Sequence, residues 1–198
     1  MRSDVRDHYA ALAEGFLARV RAVPAGAWDD PSPCPGWTAR DVVAHLVNGH
    51  RGLLFMAGGP APAPADGIGV GRIAGAPPAE PGADLAAVFA HVRDDMLAML
   101  ADPARTALRL PGGPMGAVPV WQAVSVVGSV EVLVHTWDLA RATGGDETLD
   151  PAQVARVHAA AEPFAAGLLA TGAFDPPVLP PAGADAQTRL LSFLGRRV

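Results

Sequence analysis

Residues 118–144 read VPVWQAVSVVGSVEVLVHTWDLARATG, an apolar run in which Glu131 and His135 stand four residues apart. On a helix, positions i and i+4 are neighbours on one face, roughly 5–6 Å apart at Cβ. Val, Leu and Trp surround the pair, so the face that carries it is one a fold would bury. A carboxylate removed from water is costly unless it is paired or bound to a metal. Glu131 therefore needs a partner, and a carboxylate and an imidazole so placed can grip one metal ion. The run predicts a helix over about 119–143 that stops at Gly144 and Gly145. Gln122, Ser125, Ser129 and Glu131 interrupt it, which makes it too polar for a membrane span.

Outward from this helix, the chain reads as a set of amphipathic helices. Val5, Tyr9, Leu12, Phe16 and Val20 recur at spacings of three and four and predict a helix over about 4–22. The proline-rich loop WDDPSPCPGW (28–37) follows. Thr38 then opens a second helix, about 39–56, with Asp41 as a capping-box partner. A third helix is expected over about 83–101, with Leu85, Val88, Phe89, Val92, Met96 and Leu100 as its apolar face. Asp150 and Pro151 mark the start of a fifth, which Pro163 would kink, and a short last helix is expected over about 185–194. Segment 57–82, rich in Pro, Gly and Ala, cannot hold a regular helix. It is longer than most loops inside a compact domain, and such loops act as lids or are disordered. RLPGGPMGAVP (109–119) reads as a turn-rich connector with a short extended piece. No stretch alternates as a strand does, so the fold class expected is all-α: a four-helix bundle in which facing helices build the site.

Composition narrows the function. Half of the residues are hydrophobic, enough for a core, and the net charge of −5 argues against nucleic acid as a partner. All fifteen basic residues are Arg, which with 22 Gly and 20 Pro reads as the codon bias of a GC-rich genome. The single cysteine, Cys34, excludes an internal disulfide. The N-terminus has no apolar stretch of signal-peptide type, so the expected setting is cytoplasmic, with no membrane partner.

A metal site in a bundle needs ligands from more than one helix. His45, on the apolar stripe of the second helix, is the best third candidate beside Glu131 and His135. His50 lies about 140° around the same helix, at roughly 100° per residue, and is expected to face elsewhere; changing it should do little to metal affinity. His8, His91 and His158 read as surface or half-buried histidines. Two His and one Glu leave a coordination position open, as catalytic zinc sites do, and the set also resembles the facial triad of non-haem iron. The spacing E-x-x-x-H alone leaves two readings open, a metal pair or a buried Glu–His hydrogen bond. Asp138 either orients a ligand histidine or pairs with Arg141 or another Arg. Trp37 and Trp137 read as core aromatics rather than a substrate-stacking pair, and Cys34 as a small residue in proline-rich packing rather than a nucleophile. The run GIGVGRIAG (67–75) lacks the preceding strand of a phosphate loop.

SPCPGWTARDVVAHL (32–46), followed much later by VEVLVHTWDLARATG (130–144), resembles the DinB-like metal-binding superfamily. More narrowly it is similar to the short actinobacterial branch related to the N-terminal domain of mycothiol-dependent maleylpyruvate isomerase. The tail LPPAGADAQTRLLSFLGRRV (179–198) also looks like that branch, so the resemblance covers nearly the whole chain. It implies one DinB-like bundle domain over 1–198, with a flexible loop at 57–82 and a C-terminal extension, 174–198, packed on the bundle. It implies a divalent metal held by His45, Glu131 and His135, with zinc expected and nickel or iron as alternatives. Asp138 falls on the aspartate of the family's H-x-W-D-L-A signature, and Arg141 is a candidate for a carboxylate on a thiol cofactor. The activity implied is transfer of a low-molecular-weight thiol such as mycothiol to a small electrophile, as in detoxification, with the metal activating the thiol. The alternatives are a non-catalytic metal- or ligand-binding bundle and a biosynthetic enzyme that reuses the pocket. The isomerase's further C-terminal domain is not contained whole in this chain, so isomerase activity itself is not expected. An exposed bundle face would support a homodimer.

Overall fold

The computed structural model describes residues 2–72, 75–110, 116–170 and 174–198. Helix α1 (Arg2–Ala22) carries Val5, Tyr9, Leu12, Phe16 and Val20 into the core, as their spacing predicts. Helix α2 (Ala39–Met56) opens on the expected capping box: the Asp41 N–H donates to Thr38 Oγ1, and the Thr38 N–H donates back to Asp41 Oδ2 at 2.9 Å. Helix α3 (Leu85–Ala101) starts after Asp84, whose carboxylate accepts from the Ala87 N–H. A short α4 (Pro103–Ala107) follows, capped by Asp102.

The decisive stretch is helical from Val120 to Thr143, but not as one regular helix. Helix α5 (Val120–Ala123) passes into a π turn (Val124–Gly128) before α6 (Ser129–Thr143), which Gly144 ends in the left-handed conformation. Ser129 Oγ donates to Val124 O at 3.1 Å, five residues back, within the widened turn. By length and composition this stretch could cross a membrane, contrary to the expectation from its polar residues. In the fold 83% of its most apolar window is buried inside the protein, as the core helix of the bundle.

Helix α1 packs on α3 and α6, and α2 packs on the same two helices. The order around the bundle is therefore α1, α3, α2, α6, so α2 and α6 are adjacent and can share a site. Outside this square, α7 (Pro151–Ala161) is capped by Asp150 with Pro151 at its first position and lies against α6. At Pro163 the chain tightens into a 3-10 turn (Glu162–Phe164), the irregularity expected of that proline, and continues as α8 (Ala165–Ala170). Helix α9 (Ala186–Phe193) packs on α7 and buries Leu190 and Leu191, and Leu194 beyond its end, in the common core. The described residues contain helices and isolated bridges but no named strand. One bridge, Arg109 with Pro119, flanks the turn-rich connector; residues 111–115 of that connector lie outside the described residues. The expected all-α four-helix architecture with added C-terminal helices is what the described residues adopt.

The described residues of segment 57–82 dock back on α2 rather than standing away from it; residues 73 and 74 lie outside the described residues. Asn48 Nδ2 donates to Arg72 O at 2.9 Å, and its Oδ1 accepts from the Gly71 N–H at 3.1 Å. Arg40 reaches the Glu80 and Pro81 carbonyls, and Ile68 is buried. The surface cleft lined by residues 64–69 and 78–80 is built from the loop's own turns and holds none of the candidate site residues. Asn48→Ala removes the bonds to Gly71 and Arg72. It is expected to release this segment at a local cost of about 1–3 kcal/mol, read as faster tryptic cleavage at Arg72 with unchanged global unfolding.

His8 and His50 are both buried, which for His8 corrects the surface or half-buried reading. His50 is turned between α1 and α3, with its ring 5.7 Å from Tyr9 and 6.1 Å from Phe89. Its Nδ1–H donates to Leu46 O at 2.6 Å. Burial pushes its pKa down to about 4. The unfolded chain, with an ordinary imidazole near 6.5, therefore takes up a proton more readily than the fold does. Stability contributed by neutral His50 is complete above about pH 6.5 and is lost as pH falls toward 4. Against a His50→Leu variant, the parent should lose up to about 1.4 kcal/mol more per pH unit across that window in urea unfolding. Parallel profiles would contradict the assignment.

Candidate metal centre

Adjacency of α2 and α6 brings His45 to the Glu131–His135 pair. The single helical turn between positions 131 and 135 sets both side chains on the face of α6 that meets α2. His45 Nε2 lies 2.8 Å from Glu131 Oε2, and His135 Nε2 lies 3.2 Å from the same oxygen. Three prospective ligand atoms lie within 4.8 Å of one another. Side-chain exposure is 8% for His45, 5% for His135 and 16% for Glu131, so the carboxylate is the part of the cluster that meets solvent most.

The outer nitrogens decide what the inner ones can do. His45 Nδ1 is 3.2 Å from Gly75 O, a carbonyl that can only accept. His135 Nδ1 is 2.8 Å from Asp138 Oδ2. Both imidazoles therefore carry Nδ1–H outward and turn Nε2 toward Glu131, the arrangement that histidine ligands adopt when an acceptor fixes their tautomer. The donor set fits a divalent cation of the zinc class, two imidazole nitrogens and one carboxylate oxygen. The observed separations are slightly short of the roughly 3.3 Å that ligands about 2.0–2.1 Å from one tetrahedral ion keep. A small spreading of the side chains admits the ion.

Charge is arranged to keep the carboxylates ionised. Burial pushes the Glu131 carboxyl up, but hydrogen bonds from His135 and His45, with their charge, outweigh it and hold it well below the usual carboxylate range. Burial lowers His135, yet its bonds to Asp138, Cys34 and Glu131 raise it well above an ordinary imidazole. Asp138 is pushed up by burial and held low by His135 and Arg196.

Asp138 meets both an imidazole and a guanidinium, and the cation is Arg196 rather than Arg141. Asp138 is fully buried; it accepts from His135 on one side and from Arg196 Nε and Nη2 at 2.9 and 2.8 Å on the other. Arg141 is not part of the cluster: its guanidinium pairs with Glu147 at 2.8 Å and lies 5.1 Å over the Trp137 ring.

Three residues entered the site without a local sequence signal. Trp37 is half-buried and packs against the core at its edge, and its ring stands 4.8 Å from His45 and 6.2 Å from His135. Cys34 is buried, with Sγ 3.4 Å from both Asp138 Oδ2 and Arg196 Nη2. Arg196 comes from the end of the chain, 58 positions from Asp138. Cys34, His135 and Asp138 also form a compact donor group. That group is a poor cation site, because the Arg196 guanidinium occupies Asp138 in two-point fashion and places its own positive charge beside Cys34.

A family model described as mycothiol maleylpyruvate isomerase N-terminal domain matches residues 9–140. His45, Glu131, His135 and Asp138 lie inside that span, while Arg141 and Arg196 lie beyond it. Two uncharacterized proteins, from two strains of Mycobacterium tuberculosis, are each 33% identical over 153 residues, covering 74% of this chain and 67% of their own length. No solved structure matches the chain.

Proposed function

The chain belongs to the mycothiol maleylpyruvate isomerase N-terminal domain family, and from that premise we propose that it is a divalent-metal enzyme joining a mycothiol-type thiol to a small electrophile. The observation that carries this reading is the pair of imidazoles with Nδ1–H bound outward and Nε2 converging on Glu131. Zinc suits two nitrogens and a carboxylate, and nickel and iron(II) accept the same set. A bound cation of this kind supplies Lewis acidity that keeps a coordinating thiol as its thiolate, which is the nucleophilic form.

This chain's residues do the rest. His45 and His135 present neutral Nε2 donors whose direction Gly75 O and Asp138 hold. Glu131 supplies the negative charge that makes the site select a cation. Trp37 lies against both imidazoles and screens them from bulk water, while the more exposed edge of Glu131 marks the side from which thiol and electrophile arrive. In the transfer the sulfur bonds to the electrophilic carbon, whose leaving group departs with the bonding pair, and the thiol proton passes to solvent. Detoxification of small electrophiles in a cytoplasmic setting is the role that this chemistry suits.

The burial of the three side chains favours a second reading, a bundle that holds a metal and turns nothing over. Thiol consumption separates the two. With mycothiol, or a cysteine-based surrogate, and a chloro-nitroaromatic electrophile, the zinc-loaded protein should consume thiol. Chelated protein and Glu131→Gln should both fall to the uncatalysed rate. Equal consumption in all three samples would remove the enzyme reading and leave the metal-holding one.

A further inference from the structure

We propose that Arg196, at the C-terminal end of the chain, is a positioning residue for the metal centre, acting through Asp138 on the His135 imidazole. The inference rests on the metal reading of His45, Glu131 and His135.

The tail beyond α9 is shaped to deliver this one side chain. Gly195 has φ +82°, a conformation that side chains with a Cβ rarely adopt, and a Cβ there would come within 2.6 Å of Asp175 O. The Arg196 N–H donates to Leu191 O at 2.8 Å, which closes the tail onto the last turn of α9. From there the side chain runs inward until only 6% of the residue is exposed. Its Nε and Nη2 take the two oxygens of Asp138, and Nη1 donates to Leu194 O at 3.3 Å. A buried charge pair away from the metal ligands would be an expensive way to hold a tail down. This pair has a different consequence: the two-point contact fixes the plane of the Asp138 carboxylate, which a single-point ammonium would not do. That plane sets where Oδ2 sits, and Oδ2 is the acceptor 2.8 Å from His135 Nδ1. Cys34 fills the remaining side, donating its thiol proton to Oδ2 and lying against Arg196 Nη2. The chain of contacts thus runs from the C-terminus to the tautomer and direction of one ligand histidine, while His45 depends on Gly75 O and not on Arg196.

That asymmetry gives the test. Cobalt(II) is titrated into the full-length parent, Arg196→Lys and Arg196→Met against a chromophoric chelator. The exchangeable, hyperfine-shifted N–H protons of the ligand histidines are then followed by proton NMR. The parent should show two such signals. In Arg196→Met the affinity should fall several-fold, short of the roughly 10–100-fold loss typical when the outer partner itself, here Asp138, is removed. One signal, that of His135, should exchange away while that of His45 persists. Arg196→Lys keeps the charge without the two-point grip, so it protects against a folding failure and should show an intermediate loss with the same selective exchange. Lower thermal stability with both signals and the affinity unchanged in Arg196→Lys would overturn the proposal and leave the metal reading intact. Failure of the parent to bind cobalt would overturn both.

Discussion

Glu131→Gln is expected to lower zinc affinity by at least about a hundredfold, since loss of an outer partner alone costs 10–100-fold and this change removes a ligand charge. The substitution keeps the shape of the side chain and leaves donors and an acceptor for His45 and His135, so helix content should stay at the parent's value. The measurement is a competition titration against a chelator of known affinity, beside circular dichroism. An affinity equal to the parent's would remove Glu131 from the ligand set and return the cluster to a hydrogen-bonded pair with a neighbour. A moderate, several-fold loss would mean that Glu131 acts only through its field.

The second large effect concerns the scaffold. Phe16 of α1 and Phe89 of α3 are fully buried and meet edge to face, with ring centroids 4.6 Å apart. Phe16→Ala is expected to cost about 3–5 kcal/mol, the lost transfer of the ring plus the cavity left between two helices. Urea unfolding should show a lower midpoint at unchanged slope. Because α2 and α6, not α1 and α3, carry the ligands, the folded variant should bind zinc with close to the parent's affinity. A loss of less than 1 kcal/mol would contradict the packing described for α1 against α3.

Much of this was legible in the chain because periodicity reports burial directly. The five apolar positions of α1, the Thr38–Asp41 cap, the Asp150–Pro151 start and the stop at Gly144 all follow from local rules that the fold does not override. The same logic picks out His45, Glu131 and His135 as polar residues on apolar faces, and the fold brings the three side chains together. What local rules could not show is structure made by partners far away in sequence. The π turn at Val124–Gly128 has no residue signature in a largely apolar run. Cys34 has nothing near it in the sequence to engage its thiol; Asp138 and Arg196, more than a hundred positions away, do so. Arg141 attracts attention because it stands near the motif, yet Glu147 and Trp137 hold it, whereas Arg196 stands in a tail with no pattern and reaches the buried carboxylate. His8 reads as surface or half-buried because its own helix offers a polar side there; packing covers that side and buries it.

X-ray absorption at the zinc edge on the loaded, thiol-free protein tests the central claim most directly, because the two donor groups around His135 differ in one element. The account predicts an inner sphere of two imidazole nitrogens and oxygen, supplied by His45, His135 and Glu131, with no sulfur. A sulfur scatterer at about 2.3 Å would contradict it, since it would place the ion on Cys34, His135 and Asp138 and displace Arg196 from its partner.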